Sequence, residues 1–114
     1  MNPGEARLLR LYLNNDDRYR GKPLYEAVVL RARELGLAGA SVFTAEMGYG
    51  CHRVIHDNQS EYTFIGAPVV VELVDTEDRI NAMLSEFRSM VGEGFVTVST
   101  VSPVHVARYV HREA

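Results

Sequence analysis

A chain of 114 residues, 46% hydrophobic and 24% charged, is enough for one globular domain and leaves little room for a second. Its net charge of −3 argues against a nucleic-acid binder, and its single cysteine, Cys51, excludes an intramolecular disulfide. No apolar run approaches the roughly 18 residues of a membrane span, and the first residues have no secretory-type apolar core, so a cytoplasmic, single-domain protein over 1–114 is expected.

Ala6 to Leu13 alternates as a strand, with Leu9, Leu11 and Leu13 on one face and Arg10 and Tyr12 on the other. Asn14-Asn-Asp-Asp17 stops it with side chains that hydrogen-bond their own backbone. A basic patch, Arg18-Tyr-Arg-Gly-Lys22, precedes Pro23, which suits the first helical position because its missing N–H would be an orphan there. Leu24, Val28, Ala32 and Leu35 then form one helical stripe, closed by Gly36, with Gly39 in the following turn.

Ser41 to Met47 reads as the second strand, with Phe43, Ala45 and Met47 on one face. Val69 to Val74 is β-branched and reads as the third. Asp75-Thr-Glu-Asp78 supplies a helix cap and first-turn acids, and Ile80, Leu84, Phe87 and Val91 make the second helical stripe. Gly92-Glu93-Gly94 ends that helix. Phe95 to Val101 is the fourth strand, and Val104 to Val110 a short extra one. The order is an α+β, ferredoxin-like βαββαβ sandwich, with two helices covering one face of a four-stranded antiparallel sheet. The other face, carrying Tyr12, Val70, Glu72 and Val74, is expected to be covered by further subunits.

Between Gly48 and Gly66 lie about eighteen residues without a sustained period, longer than the roughly 12–15 that a compact domain usually leaves unstructured. Such a loop between rigid flanks points to a ligand or partner. At its base, Gly48-Tyr49-Gly50 lets backbone N–H groups approach an anion, and Gly92-Glu93-Gly94 offers a second such turn. Each pair alone reads more readily as a plain turn or a helix stop. Brought together across a subunit boundary, they would make an anion or nucleotide cleft. Arg18, Arg20 and Lys22 are candidate cations for it, or simply a solvated basic turn. Cys51, His52 and His56 raise a metal reading, but a structural zinc site wants four ligands and the stretch has no helical pattern to align them. His105, Arg108 and His111 in the tail could reach a neighbouring subunit or keep an edge soluble. Asp57 and Glu61 have no fixed separation, and no nucleophile has a placed base. No enzyme chemistry is expected.

Three motifs, Asp17-Arg-Tyr-Arg-Gly-Lys-Pro-Leu-Tyr-Glu26, Gly36-Leu-Ala-Gly-Ala-Ser-Val42 and Gly48-Tyr-Gly50, resemble the family called domain of unknown function 190. The resemblance covers residues 6 to 102. That family is similar to the PII signalling proteins, homotrimers that bind adenine nucleotides between subunits and contact target proteins through a T-loop. The resemblance implies that Gly39-Ala-Ser41 matches the PII Gly-Met-Thr, Gly48-Tyr49-Gly50 the Gly-Phe-Gly at the T-loop base, and Gly92-Glu93-Gly94 the Gly-Asp-Gly of the phosphate-contacting loop. Two departures from it matter. Phe95 stands where PII has a lysine, and Cys51-His52 where it has Arg-Gln, so a triphosphate loses a principal cation unless Arg18, Arg20, Lys22 or Arg53 replaces it. The implied protein is a trimeric PII-like regulator whose 51–66 loop meets a membrane transporter or another target. The alternative is a trimeric divalent-metal binder like the CutA proteins, which share the architecture.

Overall fold

The structure is a computed structural model that describes residues 5–49, 55–57, 66–91 and 94–104, with His56 and Asp57 described by their backbone alone. Its elements run β1 (Ala6–Asn14), β2 (Arg18–Tyr19), β3 (Lys22–Pro23), α1 (Leu24–Glu34), β4 (Gly39–Thr44), β5 (Met47–Gly48), β6 (His56–Asp57), β7 (Pro68–Thr76), α2 (Glu77–Met90) and β8 (Phe95–Val101). The main sheet has the order β4-β7-β1-β8, and every pairing in it is antiparallel. This is the expected ferredoxin-like α+β sandwich.

The alternation read in β1 and β7 decides which side is core. Leu9, Leu11 and Leu13 pair with Leu73, Val71 and Val69, and all six are buried. Leu24, Val28 and Ala32 of α1 and Ile80, Met83 and Phe87 of α2 pack onto them. Burying a leucine- or valine-sized side chain is worth about 1.5–3 kcal/mol relative to exposure, so this face holds the helices to the sheet. Met83 joins the second helical stripe because a core-facing stripe is wider than one residue per turn.

Several boundaries differ from the expectation. The second strand stops at Thr44 instead of reaching Met47, since its ladder partner ends at Pro68, which has a carbonyl for the Ala45 N–H but no N–H of its own. Met47 and Gly48 belong to a separate strand that pairs with His56 and Asp57, so the long loop leaves the sheet as a short hairpin arm. Pro23 caps α1 rather than opening it, and the Leu24 N–H donates to the Asp17 carbonyl at 2.7 Å. The basic patch folds into a two-residue hairpin turn, with Arg20 at φ 50° and Gly21 at φ 82°.

Gly39 is the first residue of β4, not a turn. It is held there by Asp75, 5% exposed, whose Oδ2 accepts the Ala38 N–H at 2.7 Å while Oδ1 accepts the Thr76 N–H at 2.6 Å. Asp75 therefore ties the α1–β4 connection to the end of β7 instead of capping α2, and Thr76, the cap residue, makes no side-chain cap bond. The extra strand expected over Val104–Val110 lies outside the described residues beyond Val104, which is not in a strand.

Candidate functional site

Direct cross-strand partners project from the same face of a sheet. On the face away from the helices the register produces three rows. Phe43, Val70, Tyr12 and Phe95 form an apolar row across all four strands. Beside it, Ser41, Glu72, Arg10 and Thr97 form a polar row, and Gly39, Val74, Leu8 and Ser99 a third. Tyr12 and Phe95 touch with ring centroids 5.3 Å apart and tilted by 54°, while Phe43 and Phe95 remain 52% and 61% exposed. In the polar row the Arg10 Nε donates to Glu72 Oε2 at 2.8 Å, and that bond is the largest influence raising the guanidinium pKa.

The same register fixes which connections meet. β1 and β4 end, and β7 and β8 begin, at one end of the sheet. Arg18 and Lys22, Gly48 and Tyr49, and Gly94 all leave from that end, with Ser41 three residues inside it. Gly48 and Tyr49 leave from the β4 edge, and Gly94 enters the β8 edge. Three interstrand spacings separate those edges, roughly 14 Å. One chain therefore cannot close the two glycine turns on a small anion. Gly50, Arg53, Gly92 and Glu93 lie outside the described residues.

The individual residues carry different weight. A side chain added at Gly48 would meet Pro68 at 3.6 Å, an ordinary contact, so packing does not demand glycine there. At Gly94 an added Cβ would sit 3.4 Å from the buried Phe87 ring, a close but ordinary contact, so packing does not by itself demand glycine there either. Tyr49 is 65% exposed, and Ser41 is exposed beside Glu72. Arg18 and Lys22 stand on the β2–β3 hairpin. Lys22 faces a groove between the helices rather than the β4 edge. Among the described residues no cluster of three metal-ligating side chains occurs; Cys51 and His52 lie outside them, as does the side chain of His56.

One feature of the helix layer is absent from the expectations. Arg31 donates at 2.8 Å to Glu34 on its own helix and at 2.8 Å to Glu86 on α2. The i,i+3 spacing of Arg31 and Glu34 is visible in the sequence, but nothing local pairs residue 31 with residue 86. The Arg31 bond holds the Glu86 carboxyl below its ordinary range. A depressed carboxylate pKa stabilises the fold above the unfolded value, and that contribution is lost as pH falls through the folded value. The melting temperature of Glu86→Gln should therefore lie below that of the parent at neutral pH, and the two should converge as pH drops through and below 4.5. Parallel curves across that range would show that the clamp contributes nothing.

A four-stranded antiparallel sheet with two helices on one face is the ferredoxin-like arrangement, and the solved structures that share it here include PII-like proteins. The chain belongs to the DUF190 family, "Uncharacterized ACR, COG1993", whose model matches residues 6–103. It is 35% identical over 102 residues to a UPF0166 protein of Aquifex aeolicus, covering 90% of this chain and 96% of that one. Among solved structures it is similar to a PII-like signaling protein of Thermus thermophilus, with TM-score 0.67, 16% identity, and 91% and 94% of the two chains covered. It is also similar to CPII, a nitrogen regulatory PII-like protein of Thiomonas intermedia bound to ADP, AMP and bicarbonate, with TM-score 0.65, 15% identity, and 86% and 87% covered. CutA of Synechococcus elongatus has TM-score 0.62 and 11% identity, over 90% and 83%. At these identities the structural likenesses establish the fold. No helix among the described residues is long and apolar enough to cross a membrane.

Proposed function

We propose that this chain is a non-enzymatic regulatory protein of the cytoplasm that assembles as a cyclic trimer. It would bind a small anionic ligand of the adenine-nucleotide class between subunits and signal through residues 51–66. The observation that carries this reading is the placement of Gly48-Tyr49 and Gly94 at the same end of the sheet but on opposite edges. A head-to-tail ring brings the β4 edge of one subunit to the β8 edge of the next, so each boundary gains both turns. The uncovered apolar row supplies a reason for the ring to form. CPII, with ADP and AMP in its complexes, supports the ligand class by analogy of fold.

Phe95 in place of a lysine makes the β8 edge aromatic and uncharged, which favours a ligand with fewer phosphates than ATP. The transducing element would be the β5–β6 arm, whose two-residue ladder is short enough to be reset by ligand contacts at its base. Target proteins, including a membrane transporter, would then read the loop.

The test is a thermal-shift panel of ATP, ADP, AMP, cyclic AMP, zinc and copper, repeated with Gly48→Trp. A ligand at 100 times its Kd adds about 2.7 kcal/mol of apparent stability, an easily read shift. A shift with AMP or ADP that Gly48→Trp abolishes is the expected result. Silence across the nucleotides, with a metal shift removed by replacing Cys51, His52 and His56 together, would favour a CutA-like metal binder instead.

A further inference from the structure

On the helix side of the molecule, away from the open sheet face, residues of α1, α2 and the β2–β3 hairpin line a groove of about 550 Å³. Small-molecule sites commonly enclose about 300–1,000 Å³, so the space is of ligand size. From the helices, Ala27, Leu30 and Met90 give it an apolar strip, flanked by the polar side chains of Arg31, Glu34, Glu86 and Ser89. Its wall is the hairpin, presenting Tyr19, Arg20 and Lys22.

The charges in this groove are unevenly spent. Arg31 is paired with Glu34 on its own helix and with Glu86 on α2, so its charge is already met by two carboxylates. Arg20 and Lys22 have no ion-pair partner among the described residues. The Arg20 guanidinium lies 5.1 Å from the centroid of the Tyr19 ring, a stacked pair that leaves its N–H fork available to an oxyanion. Arg20 is also the one described non-glycine residue with positive φ, at the first position of a tight hairpin turn where asparagine, aspartate or glycine is the low-cost choice. An arginine there is a costly way to build a turn, and a good way to project a cation over the groove.

We propose that this groove is a second binding site, independent of the subunit boundary, for a small organic anion. Its phosphate or carboxylate would meet Arg20 and Lys22 while its flat apolar body lies on Leu30 and Met90. Because the groove is on the helix side, covering the open sheet face with other subunits leaves it accessible.

The test uses 1-naphthyl phosphate as probe, with 1-naphthol and inorganic phosphate as its two halves, followed by amide chemical shifts on the full-length protein. Saturable shifts of Ala27, Leu30 and Ser89 are expected, with each half binding at least about tenfold more weakly than the whole, since a charge-assisted hydrogen bond and a buried ring each contribute that much. Arg20→Gly suits the positive φ and preserves the turn, so its predicted ~10-fold loss of affinity reports the cation and not the fold. Lys22→Gln should weaken binding by a similar factor. Shifts confined to Gly48 and Tyr49, or affinity unchanged in both variants, would overturn the proposal, as would the absence of any saturable shift.

Discussion

Replacing Asp75 with alanine is expected to lower the unfolding free energy by about 2–4 kcal/mol, because it strands two backbone N–H groups that the carboxylate now accepts. Those donors belong to Thr76 at the end of β7 and Ala38 just before β4, so the loss falls on the seam between the α1–β4 connection and the sheet. Arg79, with its Nε 3.8 Å from Asp75 and a hydrogen bond to the Gly36 carbonyl, holds the same seam from outside and cannot replace the acceptor. Asp75→Asn keeps one acceptor and should lose about half as much. For a domain with a typical stability of about 5–15 kcal/mol the alanine variant would be severely weakened. Urea unfolding at fixed protein concentration reads the difference; a loss below about 0.5 kcal/mol would mean that water takes over both donors.

Val70→Glu is expected to abolish self-association. Val70 sits between Phe43 and Tyr12 in the apolar row, so a carboxylate there would be buried at the centre of any interface built on the open face. An unpaired charge in such a place costs about 3–5 kcal/mol, a weakening of more than a hundredfold per contact. The monomer itself should still fold, since the side chain points away from the helices. Light scattering should show the mass falling to that of a single chain while circular dichroism stays unchanged. An unaltered multimer would place the interface elsewhere and remove the geometric basis of the proposed ligand cleft. The two variants separate the inner seam from the outer surface: the first should weaken the fold, the second only disperse the assembly.

Residue pattern alone determined the sandwich. Alternation at Leu9, Leu11 and Leu13, the β-branched run at Val69–Val74, and the stripes led by Leu24 and Ile80 are local periodicities, and the core is the sum of faces they define. The family resemblance was legible for the same reason, since its motifs are contiguous. What the tertiary structure decided is register. Only the ladder aligns Phe43, Val70, Tyr12 and Phe95 in one row, drawn from strands up to 83 positions apart, and places Gly48 and Gly94 on opposite edges of one end. Likewise Arg31 finds Glu86, and Asp75 finds the Ala38 N–H, through packing that leaves no period in the chain. The long loop shows the division most clearly. Its length and glycines mark it as functional, but its start as a hairpin arm follows from Pro68 ending the β4 ladder and from a pairing between Met47–Gly48 and His56–Asp57 that two-residue strands are too short to announce.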